Sequence, residues 1–150
     1  MNSVWAEALG WIGIFAPVAL GAIGSTLGCA AAGRAAVGAM LEVESRYGLY
    51  IGTSALPSSQ IIYGIVIMFV LNVPVTEANG GGLFALGALS GLALAFSGWA
   101  QGLCCASAIN VAKSKPEVYA LTIAPAAIVE GFAVFVFVFA LIIGADLPTG

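Results

Sequence analysis

Hydrophobic residues fall along this chain in four long stretches, at about residues 5–33, 47–72, 83–112 and 118–144. Each is long enough to cross a hydrocarbon core of about 30 Å, which takes roughly 20 helical residues. None alternates polar with apolar positions as a barrel strand would, and lipid offers no partner for unpaired backbone groups. The pattern therefore predicts four transmembrane helices. The polar segments between them, 34–46, 72–82 and 113–117, are short, so consecutive helices run antiparallel. The chain reads as one integral membrane domain over 1–150. A first helical hairpin covers about 5–72 and a second about 83–144.

Composition strengthens this reading. Hydrophobic residues make up 61% of the 150 and charged residues 7%, against about 45–50% and about 25% in soluble domains. Four basic and seven acidic side chains cannot cover such a globule in water, and four spans with their loops are expected to use the length and leave no room for a soluble catalytic domain. The first stretch lacks a basic leader and exceeds the roughly 7–15 residues of a signal h-region, so it is expected to stay as a helix. All four basic residues, Arg34, Arg46, Lys113 and Lys115, lie in the first and third connections. The positive-inside rule places those two loops in the cytoplasm. The second loop, with Glu77, and both termini, flanked by Trp5, Trp11 and Asp146, then face outward.

The two halves resemble each other. Ile23-Gly24-Ser25-Thr26-Leu27-Gly28 parallels Ser97-Gly98-Trp99-Ala100-Gln101-Gly102, and segment 58–70 parallels 130–142. Each half starts and ends on the same side, so the duplication is parallel, unlike the inverted repeats of many transporters. Gly10, Gly13, Gly21, Gly24 and Gly28 fall within roughly 80° on the first helix, and Gly87, Gly91, Gly98 and Gly102 within about 60° on the third. Such small-xxx-small stripes let helices approach closely. They suit either ordinary packing inside one bundle or the inner wall of a ring of copies. Bulky residues crowd the fourth helix, with Phe132, Phe135, Phe137 and Phe139 making it the candidate to face lipid.

Several chemistries drop out. With no histidine there is no His-based acid–base catalysis or His metal site. A net charge of −3 leaves no basic patch for nucleic acid. Cys29, Cys104 and Cys105 form no CxxC pair and sit in apolar stretches, as small core residues do.

What remains is a set of polar residues at depth. Glu130 lies near the middle of the fourth stretch, where a carboxylate costs about 2.5–3.5 kcal/mol even on lenient insertion scales. No basic residue shares its depth. Glu130 must be protonated, bound to a mobile cation, or paired across chains; a neutral glutamic acid joining two helices is the bland alternative. Pro57 in Leu56-Pro57-Ser58-Ser59-Gln60-Ile61-Ile62-Tyr63 interrupts the second helix and is expected to free carbonyls near Thr53 and Leu56. Ser59, Gln60 and Tyr63 cover one side of that helix, and the third helix adds Gln101. One carboxylate with neutral oxygens suits a small hard cation, and a monovalent ion makes the site neutral. Helix-to-helix bonding is the competing role for each group.

The motifs from Leu56 to Gly64, Trp99-Ala100-Gln101-Gly102, the turn at 113–117 and Val129-Glu130-Gly131 resemble the membrane-ring proteolipid, known as the c or K subunit, of V-type rotary ATPases. The likeness is strongest to sodium-transporting bacterial members. It implies sodium ligands at the Leu56 carbonyl, Ser59, Gln60, Gln101 and Glu130, with Tyr63 hydrogen-bonding the glutamate and closing the site. Ser59 stands where the family has Thr. Ser58 stands where the second hairpin has Glu130, so the resemblance implies one working carboxylate per four helices. It also implies a ring of identical copies in a bacterial plasma membrane, embedded in lipid. The expected partners are a stator subunit with a membrane arginine and central-stalk subunits on the cytoplasmic loops. The chain itself would not be an enzyme, and it has no Walker-type phosphate loop. A proton-carrying ring, a stand-alone cation antiporter and a purely structural bundle are the alternatives. The parallel repeat and the Ser-Gln-Gln cage count against the antiporter.

Overall fold

The computed structural model describes residues 3–148, and within them every element is helical. The first span is α1, Ser3–Glu42. The second joins α2, Tyr47–Ala55, to α3, Ser59–Leu71, through a three-ten turn at Leu56–Ser58. The third is α4, Gly80–Ala112. The fourth opens with a three-ten turn at Pro116–Val118, continues as α5, Tyr119–Thr122, and ends as α6, Ala124–Ala145. All four are long and apolar enough to cross a membrane. The chain ends at 1–2 and 149–150, expected on the outer side, lie outside the described residues.

The first connection differs from the sequence expectation. Arg34 does not open a loop; α1 continues to Glu42, and the connection shrinks to residues 43–46. The alanine-rich stretch after residue 30 is a strong helix former. Ala32, Ala36 and Ala39, at i, i+4 and i+7, bury against Tyr50, Cys105, Ile109, Ala112 and Ala126. At 1.5 Å per residue a 40-residue helix is about 60 Å long, twice the hydrocarbon thickness. The helix therefore carries Arg34 past the apolar layer. At the reversal Arg46 takes φ 64°, a left-handed conformation unusual for a side chain of its size.

The fourth span likewise is not one smooth helix. Pro125 has no N–H to give Leu121, and the chain breaks between Thr122 and Ala124. Thr53 Oγ1 and Tyr119 Oη, 2.6 Å apart, tie α2 to α5 beside this break.

The deepest contact in the molecule is between α1 and α4, and glycine makes it. An added Cβ on Gly98 would lie 2.7 Å from the Gly24 carbonyl carbon, and one on Gly91 would lie 2.8 Å from the Ala16 oxygen. On Gly87 it would strike the Gly13 carbonyl, and on Gly102 the backbone of Gly28. Gly13 is the carbonyl that Pro17 leaves without its usual helical donor. The α1 glycines do not all face one neighbour: an added Cβ on Gly21 would lie 2.9 Å from the Gln60 carbonyl oxygen of α3. Within one chain the stripe thus packs α1 against α4 and α3, an arrangement open to either of the two uses its spacing allowed.

The outer spans close over this pair. Ile14, Ile67, Leu71, Leu83, Leu94, Ala133 and Ala140 form one buried cluster. Phe132, Phe135 and Phe139 point outward as expected. Phe137 does not; its ring packs on Tyr63 with centroids 5.2 Å apart. Cys105 is a buried core residue, and the three cysteines are free thiols.

Gly98→Leu and Gly28→Leu are expected to push α1 from α4 at a cost of about 1–3 kcal/mol per site. Gly38→Ala, where an added Cβ meets nothing within 4 Å, should be neutral or gain helix propensity. Thermal unfolding of the detergent-purified variants, with assembly size on SDS gels, checks both. Equal midpoints and sizes across the three would overturn this packing.

Candidate functional site

The proline in the second span builds half of the site. Pro57 cannot donate to Thr53, so the chain tightens to three-ten geometry: Leu56 N–H bonds to Thr53 O, and Ser59 N–H bonds to Leu56 O. The two carbonyls expected to be free each hold one i+3 bond, which corrects the sequence expectation. A carbonyl has a second lone pair, however, and on Leu56 O the Ser59 hydroxyl reaches it at 3.3 Å. Pro57 is itself buried against Gly28, where an added Cβ would come within 2.7 Å of it.

The turn aims its next residues at α4 and α6. Gln60 and Gln101 are 0% and 1% exposed, so their amides must find partners inside the protein. They find each other: Gln60 Nε2 donates to Gln101 Oε1 at 2.9 Å. Gln101 Nε2 then donates to Glu130 Oε2 at 3.1 Å, and Tyr63 Oη donates to Glu130 Oε1 at 3.1 Å. The Ser59 hydroxyl also lies 3.3 Å from Gln60 Oε1. A polar chain thus runs from Leu56 O through Ser59, Gln60 and Gln101 to Glu130, with the one Ser59 hydroxyl proton shared between Leu56 O and Gln60 Oε1, and Tyr63 holds the other carboxylate oxygen.

All six residues singled out in the sequence meet at one place, contributed by the second, third and fourth spans. Glu130 is half-buried, on the side of α6 that borders α3 and α4. The only ion pair among the described residues, Lys113 to Glu42 at 2.8 Å, joins the ends of α4 and α1. Glu130 therefore meets neutral donors and no cation of its own chain. Such an arrangement can hold a carboxylate against a small cation or a proton.

Two serines beside the site escaped the sequence reading. Ser97 Oγ donates to Val129 O at 3.2 Å, and Ser25 Oγ accepts from Ile61 N–H at 3.2 Å. Ser58, the counterpart of Glu130, is exposed and bonds back to Ala55 O at 2.7 Å.

A family model for the C subunit of ATP synthase matches the chain twice, at residues 12–71 and 84–143. The two matches begin and end 72 residues apart, from 12 to 84 and from 71 to 143. A constant step of 72 keeps Ser58 opposite Glu130 but corrects the inner-helix pairing by two residues: Ser97 then corresponds to Ser25 and not to Ile23, the signal that marks the two serines together. Among curated relatives, the A-type ATP synthase subunit K of Methanocaldococcus jannaschii is 35% identical over 139 residues, covering 89% of this chain and 62% of its own length. The V-type sodium ATPase subunit K of Enterococcus hirae is 35% identical over 129 residues, covering 82% of this chain and 83% of its own. This chain thus spans less than two thirds of the first relative. The helical hairpin, its repetition and the twofold match lead to one conclusion: this is an integral membrane protein of the ATP synthase C-subunit family, carrying the family unit twice in tandem.

Proposed function

We propose that this chain is the ion-carrying rotor-ring subunit of a V/A-type ATPase, not a catalyst itself, and that it moves sodium. The observation that carries the reading is the hydrogen-bonded chain from Leu56 to Glu130, mid-span and without a basic residue. A proton needs only the Glu130 carboxylate and a donor such as Tyr63. Burying the two further amides of Gln60 and Gln101 around it has a desolvation cost that a proton site does not require. For sodium, the oxygens of Leu56, Ser59, Gln60 and Gln101 complete a shell around one carboxylate, and site plus ion is electrically neutral. The relative from Enterococcus hirae is named as a sodium ATPase subunit. Tyr63, held by Phe137, is suited to close the site.

Two surface features support a ring of copies. An open apolar groove of about 550 Å³ between α4 and α6 is lined by Leu86, Phe139 and Ile143 among others. At the 72-residue step these correspond to Ile14, Ile67 and Leu71, all buried where the first hairpin meets the second. The groove is thus the same face, left open on the second hairpin, for the next copy's first hairpin to cover. A second hollow on α1, lined by Trp11, Ile12 and Phe15, offers the complementary surface. A ring so built would sit in a bacterial plasma membrane with residues 43–46 and 113–117 cytoplasmic. Central-stalk subunits would dock on those loops. An arginine of the stator would displace the ion from Glu130. Moving each ion then works against about 2.3 kcal/mol per 100 mV, supplied by ATP hydrolysis in other subunits.

Three outcomes are expected. Glu130→Gln should assemble into the ring and lose ion transport in reconstituted vesicles; transport that persists would overturn the reading. Sodium should slow carbodiimide labelling of Glu130 in the wild-type protein. Its protection should weaken as pH falls, because proton and sodium compete for one carboxylate. Equal labelling with and without sodium would leave a proton ring. Gln60→Leu with Gln101→Leu should remove the sodium effect while Glu130 still labels.

A further inference from the structure

We infer that Ser97 is a positioning residue for the Glu130 site, acting through the backbone of α6. This rests on the ion-carrying reading above. α6 presents to the bundle a stripe of small groups, Ala126, Ala133, Ala140 and Gly144, while most of its large side chains face outward. Methyl-sized knobs resist a slide or a rotation of the helix only weakly. The bonds from Gln101 and Tyr63 to the carboxylate cannot fix the helix throughout the cycle, because they must rearrange whenever Glu130 takes up or gives up its cargo.

The Ser97 bond is independent of that exchange. Its hydroxyl donates 3.2 Å to the Val129 carbonyl, one peptide before Glu130. Ser97 lies four residues before Gln101, on the same face of α4. One turn of α4 thus holds the α6 backbone and the next supplies the donor to its carboxylate. Serines with no partner on another helix bond within their own, as Ser90 does to Gly87 O and Ser107 to Leu103 O. Ser97 instead reaches across. Its counterpart Ser25 does the same in the first hairpin, bonding the Ile61 N–H next to Gln60. A hydroxyl can serve a carbonyl in one repeat and an N–H in the other. In both hairpins a serine of the inner helix thus ties to backbone adjoining a site side chain, although the bonded backbone groups differ by one turn: Val129 matches Pro57 at the repeat step and Ile61 matches Ala133.

The test compares wild type, Ser97→Ala, Ser97→Thr and the control Ser107→Ala, as assembled protein in lipid membranes. Two readouts are taken. One is the sodium concentration that half-protects Glu130 from carbodiimide, with the same measurement for lithium. The other is the distance from the Gln101 side-chain nitrogen to the Glu130 carboxyl carbon by solid-state NMR. Ser97→Ala is expected to lengthen that distance, raise the half-protecting sodium concentration about five- to tenfold, and alter the sodium-to-lithium ratio. A loss of stability alone would not move that ratio. Ser97→Thr should restore all three and Ser107→Ala leave them unchanged. An unchanged distance in Ser97→Ala overturns the inference. If sodium fails to protect the wild type yet the distance lengthens in Ser97→Ala, the sodium assignment falls and the positioning role stands.

Discussion

α1 and α4 meet backbone to backbone, and the outer spans depend on that contact. Gly24 against Gly98 and Gly28 against Gly102 bring the two axes closer than any side chain would permit. In lipid the hydrophobic effect does not drive helices together, so close van der Waals packing of this kind is a main source of association. The approach also decides where the polar residues fall. Gln101 sits between Gly98 and Gly102, one residue off the seam, and is thereby carried to the boundary where α3 and α6 converge. A larger residue in the seam would displace Gln101 from both of its partners.

The outer spans contribute chemistry by being imperfect helices. Pro57 converts a stretch of the second span to three-ten geometry, which leaves the Leu56 carbonyl reachable by a hydroxyl and turns Gln60 inward. Such a break is tolerated in a membrane only where the protein itself satisfies the backbone. Here the i+3 bonds to Thr53 O and Leu56 O, with the Ser59 hydroxyl, do so. Glu130 is then met from two sides by neutral donors.

Much of this was legible in the amino-acid sequence, because membranes impose strong rules. Four apolar runs, a lone deep carboxylate and a proline beside Gln60 each violate or satisfy a lipid constraint visibly. Less legible was the run past Arg34, where a charge suggests a loop but alanines at i, i+4 and i+7 bury a helical face. Phe137 was grouped with its outward neighbours because phenylalanine alone does not show which side of α6 it occupies; Tyr63 decides that. Ser25 and Ser97 were hidden among small residues. A serine in a glycine stripe looks like one more small side chain until its partner helix is placed.

The two repeats are alike in fold and unlike in equipment. At the repeat step, Glu130, Gln101 and Tyr63 of the candidate site correspond to Ser58, Cys29 and Phe135. Half of the hairpins in a ring of such chains would turn without cargo. A revolution driven by a fixed number of ATP molecules would then divide its free energy among half as many ions. Each ion would receive a larger share, and the voltage against which it could be moved would be correspondingly higher. On the proposed reading, a serine in place of a second carboxylate would exchange ions moved per turn for the steepness of the gradient that the turn can sustain.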